Sequence, residues 1–108
     1  MKRTGVLRVI NDFSQRDDRV LINPNEGFEL GVIKSFHPVR IFFGATAADF
    51  RAGTGRQLRG LLMLEAACKP GTVELGSRSW ESIGRPTSAV LVLDEDRLLV
   101  GPVHKAEE

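Results

Sequence analysis

The stretch LRGLLMLEAACKPG, residues 58–71, decides the fold. Leucine, methionine, glutamate and alanine are good helix formers, so residues 58–67 taken alone suit a helix. Lys69-Pro70-Gly71 follows at once, and residues 72–75 (TVEL) alternate apolar and polar as a strand does. A strand over residues 60–65, turning through CKPG into TVEL, satisfies the same residues equally well. The segment by itself leaves both readings open.

The rest of the chain tips the balance toward a strand. GVLRVIND (residues 5–12) begins a first half as GLLMLEAA (60–67) begins a second. A loop follows in each, FSQRDD (13–18) or CKPG (68–71), and then a short strand, RVLI (19–22) or TVEL. Next comes a short helix. Asn23 is a good cap and Pro24 suits a first helical turn, while Ser77 reads as the cap of RSWESI (78–83). The helices end at Leu30-Gly31 and Ile83-Gly84, and each carries one aromatic, Phe28 or Trp80. Each half then runs into an apolar strand, VRIFF (39–43) or AVLVL (89–93). AVLVL and RLLV (97–100) flank the acidic turn Asp94-Glu95-Asp96, the clearest hairpin in the chain. Residues 45–50 (ATAADF) fit a helical turn or an irregular strand, and RAGTGR (51–56) fits a flexible turn.

These segments predict a mainly β (α+β) fold. Residues 1–103 form one domain, a small pseudo-twofold β-barrel of two β-β-α-β halves with short helices. The repeats span residues 5–53 and 60–103, and HKAEE (104–108) is a loose tail. The alternative is that short β-β-α-β patterns recur by chance. If the halves are related, neither can bury its own apolar face, so the two must close on each other. Closure also removes exposed strand edges.

A chain of 108 residues with 42% apolar and 27% charged residues is an ordinary globular domain. Its net charge of +1 leaves no broad electrostatic footprint for nucleic acid or membrane, so any such binding must come from a local patch. Cys68 is the single cysteine, which excludes an intramolecular disulfide and fits a reducing, cytoplasmic setting. No apolar run approaches the roughly 18 residues of a spanning helix.

Little in the sequence carries chemistry. No Walker loop and no GxGxxG motif is present. His37, His104 and Cys68 lack the converging partners zinc needs, so no metal and no cofactor is expected. Cys68 reads as a loop thiol, whose pKa Lys69 would lower if the two approach. Asp17, Asp18 and the Asp94–Asp96 turn read as solvent-facing turn formers, and Trp80 as a core anchor. The most basic stretch is residues 51–59, where Arg51, Arg56 and Arg59 stand with no acid between Asp49 and Glu65. With Arg8, Arg16 and Arg19 of the first half, they are the candidate phosphate contacts.

Residues 60–102, above all RSWESIG, AVLVL, DED and RLLV, resemble the AbrB/MazE-type swapped-hairpin domains of the cradle-loop barrel kind. That resemblance implies a transcription regulator or antitoxin that dimerises through interleaved hairpins and sets basic residues on DNA. Three function classes follow. A non-enzymatic nucleic-acid-binding or regulatory domain ranks first. A protein-interaction or assembly module, with a protein partner or a second copy of the chain, ranks close behind. An enzyme ranks last, and a membrane is not among the expected partners.

Overall fold

A computed structural model describes residues 1–103, so the tail at 104–108, with His104, lies outside the described residues. Its decisive segment is a strand. In chain order the elements are β1 (Lys2–Arg3), β2 (Leu7–Asn11), β3 (Arg19–Ile22), α1 (Pro24–Glu29), β4 (Phe36–Phe43), α2 (Ala47–Ala52), β5 (Leu58–Leu64), β6 (Thr72–Leu75), α3 (Ser77–Ser82), β7 (Ser88–Asp94) and β8 (Arg97–Pro102). Strand β5 lies between β3, to which it is parallel, and β4, to which it is antiparallel. Hydrogen-bonded neighbours on both edges and burial of Leu62 and Met63 outweigh the weak helix preference of its residues.

Seven strands close into a barrel in the order β7-β2-β6-β3-β5-β4-β8, with β8 returning to β7. Strand β1 prolongs the β2 edge along β7. Arg3 faces Val92 and Leu7 faces Ala89, so the three residues 4–6 lie opposite the two residues 90–91, the signature of a one-residue bulge. Thr4 repairs the ladder there. Its amide donates to the Leu91 carbonyl at 2.9 Å, and its hydroxyl accepts the Leu91 amide at 3.1 Å.

The pairing is pseudo-twofold. Arg8 lies beside Thr72 and Arg19 beside Leu61, both in parallel register. Positions 8 and 61, 19 and 72, and 24 and 77 each differ by 53, so the strands β2, β3 and helix α1 superpose in sequence on β5, β6 and α3. Leu21 faces Glu74, also 53 apart, which puts the pseudo-axis at the β3–β6 crossing. The linking loops, residues 12–18 and 65–71, are equally long, although their composition suggests otherwise. The aromatic residues of the two helices do not correspond: Phe28 is 80% exposed and matches Glu81, whereas Trp80 packs against the core and donates its indole N–H to the Pro86 carbonyl at 3.0 Å.

Alternation sends Val20, Ile22, Ile41, Leu62, Val73, Leu75, Leu91, Leu98 and Val100 into the barrel, where they are sealed from solvent. Helices α1 and α3 each rest on the loop of the opposite half. In α1, the Asn23 side chain caps the Asn25 amide at 2.9 Å as expected and also donates to the Cys68 carbonyl at 2.7 Å. In α3 the expected cap is corrected. Ser77 is already helical, Gly76 holds the cap position, and Asp17 of the other half accepts from the amides of Arg78 (3.1 Å) and Ser79 (3.3 Å). A side chain at 76 would collide with that carboxylate. Asp17 is thus a structural cap and not a solvent-facing turn former.

Residues 47–52 resolve as helix α2, capped by Thr46 and closed by left-handed Gly53. Helix α2 covers the outside of β4. Phe50 meets Phe42 edge to face at 5.4 Å, and both are buried. Arg97 clamps it from below, donating to the carbonyls of Phe50 and Arg51 at 3.0 Å each and to Asp94 at 3.0 Å. Among the described residues no helix is long and apolar enough to cross a membrane.

Candidate functional site

The outer face of β3, β5 and β4 gathers the charged and apolar side chains that the core rejects. Val39, Ile41 and Leu62 point inward, so the alternate positions Phe36, Pro38, Arg40, Arg59, Leu61 and Arg19 point outward. Arg40 stands directly opposite Arg59, Pro38 opposite Leu61 and Phe36 opposite Met63. Arg19 lies beside Leu61 on the next strand. Phe36 is 57% exposed, a large aromatic left in water on a sheet face.

A cleft of about 510 Å³ opens on this face, lined by Pro38, Val39, Arg40, Arg59, Gly60 and Asp96. That volume is within the range of about 300–1,000 Å³ usual for ligand pockets. The hairpin turn reaches its rim. Arg40 grips Asp96 through two contacts of 3.2 and 3.3 Å and reaches Gln57 at 3.4 Å. These hydrogen bonds hold the Asp96 carboxyl below the usual carboxylate range. At the entry to β3, Arg16 binds Asp18 at 3.0 and 2.9 Å and lowers its pKa in the same way, while Arg19 stands 3.9 Å from Asp18. Asp18 and Asp96 are therefore ion-pair partners as well as turn residues. Among the described residues, Arg59 makes no ion pair within 4.0 Å.

The six arginines singled out by the sequence do not converge on one patch. Arg19 and Arg59 share the β3–β5–β4 face, with Arg16 tied to Asp18 at its border. Arg8 is exposed on β2, beside Thr72 and Ser88. Arg51 borders a separate cavity of about 400 Å³ with Arg3, Phe50 and Val92. Arg56 lines a third, of about 350 Å³, with Asp17, Arg78, Ser79 and Ser82. Sequence reasoning missed Arg40, which sits inside the apolar run VRIFF. The signal was its period-two spacing from Pro38 and Phe36, which puts all three on the face opposite Val39 and Ile41.

No family model matches this chain, and no curated protein does. The chemistry of the face must therefore be read from its own residues. Among the described residues, no group of three or more His, Cys, Asp or Glu side chains is placed to hold a metal ion.

Cys68 lies in the β5–β6 loop, as expected, and packs over the outward side chains of β3 and β5 at one end of this face. It is buried beneath the loop of residues 65–71 against Leu21 and Met63, and its thiol donates to Glu74 at 3.2 Å. Burial, then the Glu74 carboxylate, push the thiol up to about 12, overriding any lowering by Lys69. The folded protein is expected to resist thiol alkylation at pH 8 and to react on unfolding. Because the folded pKa is raised above the ordinary value of 9.0, the stabilisation is complete below pH 9 and declines as pH rises toward 12. Urea midpoints at pH 8 and 10.5 should fall more steeply in the native protein than in Cys68→Ala. Equal slopes would sink this assignment.

Proposed function

We propose that this chain is a non-enzymatic nucleic-acid-binding domain whose contact surface is the outer face of β3, β5 and β4. The observation that carries it is the juxtaposition of Arg40 and Arg59 across one strand pair, next to Arg19 and to exposed Phe36 and Pro38. Guanidinium groups satisfy phosphates, and apolar and aromatic faces satisfy bases. The net charge of +1 is compatible with this because the cations are local. A reducing, cytoplasmic setting is part of the same reading and agrees with a single buried thiol.

The test is fluorescence anisotropy of labelled random-sequence oligonucleotides titrated with the protein at low and at physiological salt. Micromolar or tighter binding is expected. Its log–log salt slope should be about −2 to −3, as for roughly three neutralised phosphates. The Arg40→Gln/Arg59→Gln double variant should weaken binding about 10-fold or more, and Arg8→Gln on the distant strand should not. Absence of binding at low salt would reject the reading.

A second reading, a protein-interaction or assembly module, is favoured by a different observation. Phe28, Ile33 and Phe36 are 80%, 88% and 57% exposed within nine residues of sequence. Concentration-dependent self-association, abolished by Ile33→Ser, would move the weight to it.

A further inference from the structure

We infer that the nucleic acid taken by this face is single-stranded, with a base stacked on Phe36. This rests on the function proposed above and narrows it to one substrate class. The first argument is shape. A two-stranded β-ribbon fits the major groove, about 12 Å wide, whereas broader sheets that read duplex DNA do so from a minor groove they kink open. Here the candidate face is part of a closed barrel, three strands across, with extents of 33 × 31 × 25 Å overall. Helix α2 stands over Phe42 at one side, and the Asp94–Asp96 turn stands at the rim. Such a surface is too broad and too walled to enter the groove of an undistorted duplex.

The second argument is charge. A duplex presents a phosphate charge about every 1.7 Å along its axis and rewards a dense cationic surface. On this face Arg40 is already engaged by Asp96, and Arg19 borders the Arg16–Asp18 pair. Of the arginines on this face, only Arg59 makes no ion pair among the described residues. A few phosphates can be met, a double row cannot.

The third argument is the exposed aromatic. In a duplex the base faces are stacked on one another, and a ring enters only by unstacking a step and kinking the helix. In a single strand they are open, and base-on-aromatic stacking is the recurrent solution for binding them. Phe36 and Arg40 are four residues apart on one strand, about 13 Å at 3.3 Å per residue, the rise of about four stacked nucleotides. A strand of nucleic acid laid along β4 therefore reaches from the Phe36 ring to the cleft. There the Arg40–Asp96 pair presents donors and an acceptor together, so that Arg40 can meet a phosphate while Asp96 accepts from the edge of an unpaired base.

The experiment compares three labelled 12-mers at 50 mM salt: unstructured single-stranded DNA, the matching RNA, and a mixed-sequence duplex. Either single strand should bind at least 10-fold tighter than the duplex, and the DNA and RNA arms decide which sugar is preferred. Phe36→Ala should weaken single-strand binding about 5- to 150-fold, the range for one lost base stack, with thermal unfolding unchanged because the ring is exposed. Phe36→Trp should retain it. Equal or tighter duplex binding, or an unaffected Phe36→Ala, overturns the single-strand inference and leaves the nucleic-acid reading standing. No binding of any of the three overturns both.

Discussion

Gly60→Ala is expected to destabilise the protein by about 3 kcal/mol or more. A Cβ at this position would fall on the carbonyl oxygen of Asp18 and within 2.8 Å of Ile41 Cδ1. That carbonyl accepts the Leu61 amide at 2.9 Å, the bond that starts the parallel β3–β5 pairing. Relief would require moving the backbone at Asp18, and breaking that bond leaves a strand amide without a partner. Overpacking a closed site costs about 1–3 kcal/mol and an orphaned buried amide about the same again. For a domain near this size, the sum lowers the melting temperature by more than about 10 °C. Gly5→Ala meets open space and Gly101→Ala only ordinary contacts of 3.6 Å or more, so both controls should stay within about 0.5 kcal/mol of the native protein. Urea unfolding of the three variants decides the matter. A Gly60→Ala midpoint as close to native as the controls would mean that β3 and β5 do not approach as described.

The glycine is also an instance of what the sequence could and could not say. As a residue type, Gly60 merely weakens a helix or strand assignment for residues 58–67, and it is the barrel that makes it obligatory. The repeated order of strand, loop, strand, helix and strand was legible because each step rests on a local rule: alternation, a capping asparagine, a glycine after the last turn. Such rules act within a few residues, and they hold at Asn23, at Gly31 and at the Asp94–Asp96 hairpin. They failed where the partner came from afar. Asp17 caps α3 across 61 residues of sequence, and Ser77 looked like the cap only because it was adjacent. Arg97 reads as one polar position in RLLV, yet it ties α2 to the barrel from 46 residues away. The candidate face suffered in the same manner. The basic run at residues 51–59 is contiguous in sequence, but helix, turn and strand send Arg51, Arg56 and Arg59 to three different clefts. Arg40 joins Arg59 only through antiparallel register, which no local pattern encodes.

Phe50→Ala should lower stability by about 3 kcal/mol, near the low end of the usual range for deleting a buried phenylalanine. The ring is 2% exposed, packs edge to face on Phe42, and is the only buried residue of α2. It also lies under the Arg97 guanidinium at 5.7 Å. The limit on the loss comes from the helix itself. Six residues are too few to persist alone, so once its anchor is gone α2 can undock without the barrel opening. The penalty then stops at the cost of exposing Phe42 and freeing Arg97, and does not grow to that of a core cavity. Hydrogen exchange separates the two outcomes. If undocking is local, the Gly53 and Thr54 amides, which bond the Phe50 and Asp49 carbonyls, lose protection while Leu62 and Leu91 keep theirs relative to global unfolding. Arg97→Met should produce the same pattern more weakly, because it removes the bonds to the Phe50 and Arg51 carbonyls but leaves the aromatic pair. If all these amides lose protection together, α2 belongs to the same cooperative unit as the barrel, and the outer aromatic pair is part of what holds β4 against β8.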